Sequence, residues 1–288
     1  MNRLFEKTRA LWVRYSDYEW VEDDKGILYL TASSNAKPNI TDPIADYMQI
    51  VGDAVNTGLF CMSSETGIDE RKDAIRDFTM KYGLLGIITA IPTTVHFLES
   101  DFAYFPVNPF IKEEKMSSDD YLNLFFPFDQ PKYLKQGKAI SWDIESDKDM
   151  QGLAMTMNDR PIPVNMSLQR SYAERYDWLE KQFKDWAFIV FTAQEYYDDY
   201  DELDEKERLL FKQAIRAFEG VSPTYRLELL DRPTLVWEFN SLMQALQLMI
   251  NLMLSDENNP VKICKKCGNA FIPKKTSDLY CSRNCMSK

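Results

Sequence analysis

The sequence contains little of the chemistry on which most enzymes depend. Its single histidine, His96, is the only residue on which a histidine dyad or a histidine-rich metal site could be built. A lone histidine in the context Pro-Thr-Thr-Val-His is more typical of a structural role. The chain also has no Walker A loop, no G-x-S-x-G nucleophile elbow and no dinucleotide-binding glycine fingerprint. We therefore expect a protein that is not an enzyme.

Long apolar runs are missing as well. The sequence has no uninterrupted apolar stretch of about eighteen residues, the length that would predict a membrane-spanning helix. Residues 1–7 lack the apolar segment of a secretory signal peptide, and only five cysteines occur in 288 residues. These absences predict a cytoplasmic protein that does not contact a membrane.

Four of the five cysteines fall close together, in a C-x2-C-x13-C-x3-C pattern. They are Cys264, Cys267, Cys281 and Cys285. Two close pairs joined by a loop of this length are typical of a zinc site, in which four thiolates surround the ion as a tetrahedron. Such a site leaves no open coordination position, so one structural Zn²⁺ is predicted. The alternative, two disulfides, requires an oxidising compartment. Cys61 lacks a partner and is expected to be a buried thiol.

The residues around these cysteines predict a small treble-clef-like zinc finger. Gly268 permits a tight turn after Cys267, in which backbone N–H groups point at the thiolates. Phe271 and Ile272 supply apolar cover. The C-x3-C pair places both sulfurs on one face of a helical turn. The expected order is a turn bearing the first pair, a small hairpin and a helix start.

Charge is distributed unevenly between this segment and the rest. The formal net charge is −11, which argues against nucleic acid as a partner because phosphates repel an acidic surface. Residues 261–288, however, contain seven basic residues and one acid, a formal charge of +6 that leaves −17 for the rest. These cations either contact phosphates or offset the thiolate charge and keep the finger soluble. The candidates for nucleic-acid contact are Lys262, Lys265, Lys266, Lys274, Lys275 and Arg283.

Ahead of the finger, the periodicities predict a mostly helical α+β body over residues 1–256, followed by a short hinge and the finger at 261–288. Residues 11–31 have the pattern of an N-terminal β-hairpin. Asp42-Pro43 is typical of a helix start, and Tyr225–Leu229 alternates like a strand. Further helices are predicted at 69–82, 166–194, 204–219 and 235–254, the last of them central and buried.

Two other segments allow more than one interpretation. Aromatic residues cluster between 91 and 164, where they either line a pocket or partner surface or pack loops onto the core, and packing is favoured. The acidic segment 195–205 superficially resembles a calcium loop. It lacks the central glycine and terminal glutamate of an EF-hand, so a solvated connector is expected.

The segments Cys264-Lys-Lys-Cys-Gly-Asn-Ala-Phe-Ile and Tyr280-Cys-Ser-Arg-Asn-Cys285 resemble the CGNR-type zinc finger. In that family the finger follows an α+β or helical domain called ABATE, and the proteins are described as stress-induced transcription regulators. The run Phe78–Gly86 and the helix around Trp178 also look like that preceding domain. After Cys285, however, the chain reads Met-Ser-Lys, without the Gly-Asn-Arg and basic helix of the family.

The resemblance implies a bacterial transcription regulator whose body senses a ligand or partner while the finger contacts DNA. The alternative is a protein-interaction adaptor in which zinc only stabilises the C-terminal segment. The acidic body and the missing basic helix favour the adaptor.

Overall fold

The computed structural model describes residues 12–87, 102–105, 108–130, 170–216, 218, 220, 223–229, 231–239, 241–255, 261–275 and 277–287. The helices are α1 (Tyr47–Met62), α2 (Ile68–Tyr82), α3 (Ser118–Phe125), α4 (Tyr176–Asp198), α5 (Glu205–Arg216), α6 (Leu242–Leu254) and α7 (Arg283–Met286). The strands are β1 (Trp12–Tyr15), β2 (Tyr18–Glu22), β3 (Leu28–Ala32), β4 (Pro38–Thr41), β5 (Phe102–Tyr104), β6 (Lys115–Ser117), β7 (Ala173–Arg175), β8 (Thr224–Leu229), β9 (Pro233–Glu238), β10 (Lys262–Ile263) and β11 (Ala270–Phe271). The predicted mixed α+β architecture is confirmed.

The predicted N-terminal hairpin is formed by β2 and β3, which pair antiparallel. Asp23 shapes the turn between them, because its carboxylate accepts hydrogen bonds from the backbone N–H of Lys25 and Ile27 at 2.9 and 2.8 Å. Strand β1 lies outside this hairpin and pairs antiparallel with β4. The prediction is therefore correct for the hairpin, but β1 finds its partner further along the chain.

Helix ends follow the local signals in the sequence. Asp42 accepts a hydrogen bond from Ile44 N at 3.2 Å and caps a 3-10 helix at Pro43–Asp46. Asp46 then caps α1 in the same way, at 3.3 Å from Gln49 N. Helix α2 ends at Gly83, whose φ of 95° lies in the region that favours glycine.

The long helix predicted at 166–194 begins later than expected. Residues 173–175 form β7, which pairs antiparallel with β3, and the helix runs from Tyr176 to Asp198. Pairing with β3 explains the difference, and the buried Glu174 holds β7 in place. Its carboxylate accepts hydrogen bonds from Leu85 N and Ile87 N at 2.9 Å each and from the Tyr172 hydroxyl at 2.7 Å. Burial raises the pKa of Glu174, and these hydrogen bonds oppose that shift.

The central helix predicted at 235–254 also begins later than expected. Residues 233–238 form β9, which pairs with the predicted strand β8, and Ser241 caps α6 by accepting a hydrogen bond from Gln244 N at 3.0 Å. Val236 and its neighbours favour a strand. Because this short apolar run adjoins an apolar helix, the hydrophobic pattern alone predicts that the helix includes it. Helix α6 is buried over most of its length, as predicted.

The core lies between α6 and the packed pair α1 and α4. Gly58 allows α1 and α4 to approach closely, since a Cβ added there would lie 2.0 Å from the Phe183 carbonyl oxygen and 2.7 Å from the Ala187 Cβ. Several described aromatic residues of the 91–164 segment pack into this core, as favoured above, whereas Tyr104 and Phe128 are exposed. Those that are buried are Phe105, Tyr121, Phe125 and Phe126. His96, Phe97, Tyr133 and Trp142 lie outside the described residues.

The acidic segment continues α4 to Asp198 and then forms a turn before α5. Asp204 and Glu207 cap α5 reciprocally: Glu207 N donates to the Asp204 carboxylate at 2.8 Å, and Asp204 N donates to the Glu207 carboxylate at 2.9 Å. The start predicted for this helix is confirmed. Among the described residues, no helix combines the length and the apolar character needed to span a membrane.

Candidate metal centre

The four cysteine sulfurs of the C-terminal segment converge on one point. All four ligand atoms lie within 4.8 Å of one another. The Cys281 sulfur lies 3.6 Å from the sulfurs of both Cys267 and Cys285. In a tetrahedral zinc site with Zn–S bonds of about 2.3 Å, neighbouring sulfurs lie about 3.8 Å apart. The donor set and its spacing therefore fit a four-thiolate metal centre.

The first cysteine pair lies on a tight turn between β10 and β11, which form an antiparallel hairpin. Cys264 N donates to the Asn269 carbonyl at 2.8 Å, and Gly268 N donates to the Cys264 carbonyl at 2.9 Å. Gly268 adopts a φ of 72°, so a side chain at this position would be strained. The sequence folds this way because glycine follows directly after the second cysteine of the pair.

The second pair is positioned by the start of α7. Ser282 caps this short helix by accepting a hydrogen bond from Cys285 N at 3.4 Å, which fixes Cys285 relative to Cys281. Cys281 N also donates to the Cys264 sulfur at 3.4 Å, an N–H···S contact that links the two pairs. The structure thus contains the predicted order of turn, hairpin and short helix, and we call residues 261–287 the finger.

The thiols differ in their electrostatic surroundings. Burial opposes ionisation of Cys264, but hydrogen bonds from the backbone N–H groups of Cys267, Cys281 and Lys266 lower its pKa to about 6. Burial and the neighbouring sulfurs raise the pKa of Cys281 to about 12. A metal ion requires the thiolate form of each ligand, so binding would release protons. Four protein ligands would close the coordination sphere, which suits a structural role and not catalysis.

The finger is docked onto the body through polar and apolar contacts. Asn56 of α1 and Gln194 of α4 hydrogen-bond to the backbone of β11 and β10, respectively. Val261 and Ala270 are buried against the core cluster, and Ile263 and Ile272 pack on it. The half-buried Phe271 and Ile272 confirm the predicted apolar cover in part.

Two of the six basic candidates make contacts that limit their availability. Lys265 forms an ion pair with Asp198 of α4 at 3.2 Å. Lys266 donates to the carbonyls of Asn284 and Ser287, at 3.2 and 2.5 Å, and so ties the first cysteine turn to the end of α7. Lys262 is half-buried within β10.

The other three basic candidates remain on the finger surface. Lys274 and Lys275 are exposed on the turn after β11, and Arg283 is exposed at the start of α7. The backbone N–H groups of Lys274 and Lys275 both donate to the Asp278 carboxylate, at 3.0 and 2.9 Å, which holds that turn in place. Cys61 is a buried free thiol, as predicted, and burial raises its pKa to about 11.

The sequence reasoning missed Asn56 and Gln194. Each is one of two side-chain amides on its helix, and nothing nearby in the sequence indicates a partner more than sixty residues away. The only available signal is their position beside buried residues, Val55 and Ala193. Comparison with protein-family models, with curated proteins and with solved structures finds no match to this chain.

Proposed function

We propose that this chain is a zinc-binding protein in which Cys264, Cys267, Cys281 and Cys285 hold one structural Zn²⁺. The observation that carries the proposal is the approach of all four ligand atoms to within 4.8 Å of one another. Thiolates are soft ligands and select zinc or iron–sulfur clusters over magnesium and calcium, and a closed tetrahedral set of four is typical of structural zinc.

Elemental analysis tests the metal directly. Protein purified without chelator should contain one zinc per chain, and X-ray absorption should give four sulfur ligands at about 2.3 Å. A preparation without metal, or with a Cys264–Cys267 disulfide, contradicts the proposal. Iron in place of zinc would retain the site but change its chemistry.

We further propose that the zinc-bound finger contacts nucleic acid, as in a bacterial transcription regulator. The resemblance to the CGNR-type finger supports this role, and so does the exposed position of Lys274, Lys275 and Arg283. These side chains, rather than Lys265 and Lys266, are the proposed phosphate contacts, because the latter two are engaged within the protein. The net negative charge of the body would disfavour contact of phosphates with the rest of the protein.

A mobility-shift titration with duplex DNA at increasing salt tests the nucleic-acid role. Three phosphate contacts predict that log K falls with log salt with a slope of about −2.7. Replacing Lys274, Lys275 and Arg283 by alanine should abolish binding without unfolding the body. The matched control replaces Lys25 and Lys37, two exposed lysines of the body, and should retain binding. Absence of any shift at low salt contradicts this role.

A protein-interaction adaptor is the second candidate, and one observation favours it. The face of β8 that carries Tyr225, Leu227 and Leu229 is 67–84% exposed, and the described residues include no further strand paired with β8 or β9. An extended apolar segment of another protein could pair with the outer edge of β8 as a further strand and cover these exposed side chains. Recovery of such a partner by wild type but not by Leu227→Lys, together with absence of DNA binding, would select the adaptor.

A further inference from the structure

The outward-facing backbone groups of the finger hairpin are paired with side chains of the body. Ile263 of β10 and Ala270 of β11 lie directly opposite each other. Asn56 donates to the Ala270 carbonyl at 3.3 Å and accepts from Ala270 N at 2.6 Å. Gln194 donates to the Ile263 carbonyl at 3.2 Å and accepts from Ile263 N at 2.5 Å. One amide thus takes the place of a neighbouring strand on each side of the hairpin.

The two amides come from different helices of the body. Asn56 lies on α1, two residues before Gly58, at which α1 approaches the backbone of α4. Gln194 lies on α4, near its C-terminal end, where Asp198 also pairs with Lys265 of the finger. The finger hairpin therefore spans α1 and α4 and is bonded to both.

The hairpin is too short to hold its shape alone. Its strands have two residues each, whereas isolated two-stranded hairpins of greater length are at best marginally stable in water. The metal centre lies at the ends of both strands, because Cys264 directly follows β10 and Gly268 and Asn269 connect Cys267 to β11. Holding the four sulfurs together therefore restricts the motion of the groups that Asn56 and Gln194 bind, in addition to the apolar contacts of Val261 and Ala270.

We propose that Asn56 and Gln194 are positioning residues that couple metal binding to the packing of α1 against α4. With metal bound, the finger hydrogen-bonds to both helices and stabilises their packing. Without metal, both amides hydrogen-bond to water and the packing of α1 against α4 weakens. The coupling is reciprocal, so docking raises the metal affinity by the same factor by which metal strengthens docking. This inference rests on the proposed zinc site.

The test compares the full-length chain with a double variant, Asn56→Leu and Gln194→Met, which keeps side-chain size and removes the four hydrogen bonds. Zinc affinity is measured by competition with a chromogenic chelator and should fall about thirtyfold. The matched control, Asn39→Leu and Gln213→Met, changes two exposed amides and should leave the affinity unchanged. Gln194→Glu on a wild-type background keeps the acceptor for Ile263 N and should lose less affinity than Gln194→Met.

Hydrogen exchange on the wild-type protein provides a second measurement that needs no variant. Addition of Zn²⁺ to the metal-free protein should slow exchange in 47–62 and 176–198 as well as in the finger. If wild type binds no zinc, the proposed site itself fails. If zinc binds but the double variant has wild-type affinity, or protection is confined to 261–287, the coupling is overturned.

Discussion

The molecule contains two small two-stranded ribbons that differ in how they join the rest of the structure. The ribbon of β8 and β9 has six residues in each strand, yet one of its faces is largely exposed. The ribbon of β10 and β11 has two residues in each strand, yet Ala270 is buried and its outward backbone groups are bonded. Length and apolar character thus do not decide which ribbon is held to the body.

The two ribbons differ in the groups that hydrogen-bond to their backbones and in what holds the ends of their strands. The shorter ribbon is anchored at its ends by the cysteine turns and at its edges by two amides of the body. Among the described residues, the longer ribbon pairs only β8 with β9, and Val236 is buried on the face opposite Leu227. The proposed metal centre, combined with a few polar side chains of the body, would therefore order a segment too small to form a core.

The largest effect is expected from removing one ligand of the proposed metal centre beside the shorter ribbon. Cys264→Ser removes the buried ligand, and structural zinc contributes roughly 10–16 kcal/mol to folding of small fingers near neutral pH. Zinc content should fall from one per chain to none, and amides of 261–287 should exchange rapidly. Cys61→Ala, at the other buried cysteine, should retain one zinc. Full zinc content in Cys264→Ser would show that the four-thiolate site is misassigned.

An intermediate effect is expected from the helices beneath the shorter ribbon. Gly58→Ala should lower the free energy of unfolding by about 3 kcal/mol or more, because its Cβ would meet the Phe183 carbonyl oxygen at 2.0 Å. Gly52→Ala, on the same helix with nothing within 4 Å of the added Cβ, should be neutral or stabilising by up to about 1 kcal/mol. Urea denaturation measures both, and equal free energies of unfolding would contradict the close packing of α1 and α4.

The smallest effect is expected on the exposed face of the longer ribbon. Leu227→Thr should change the free energy of unfolding by no more than about 0.5 kcal/mol, because Leu227 is 72% exposed. Val236→Thr, on the buried face, should cost about 1–2 kcal/mol, since it places a hydroxyl where an apolar group is buried. A larger loss for Leu227→Thr than for Val236→Thr would indicate that the exposed face is covered in solution.

Local signals in the sequence predicted the features that depend on neighbouring residues. The N-cap at Asp42, the helix end at Gly83 and the turn at Gly268 follow from the conformations that these residue types favour. Strands β7 and β9 were misread as helix because their strand character depends on pairing with β3 and β8. Apolar periodicity alone does not reveal such partners.

The candidate site also combines features that the sequence predicts with features that depend on the fold. Its four cysteines lie within 22 consecutive residues, so their spacing indicates a metal centre without knowledge of the fold. The sequence does not predict which amides hold the finger, because Asn56 is 214 positions from Ala270 and Gln194 is 69 positions from Ile263. Which lysines are engaged also depends on the fold, as the ion pair of Lys265 with Asp198 shows.

The distance of 214 residues between Asn56 and Ala270 has a consequence for the order of events during synthesis. At about 5–20 residues per second, a ribosome needs roughly 10–40 s to make the chain between them. During that interval the Asn56 amide hydrogen-bonds to water. An exposed polar group promotes less nonspecific association than an exposed apolar group. Four-thiolate metal binding can only follow translation of Cys285, so on the coupling proposed above the supply of metal would set when the contacts of the finger with α1 and α4 are completed.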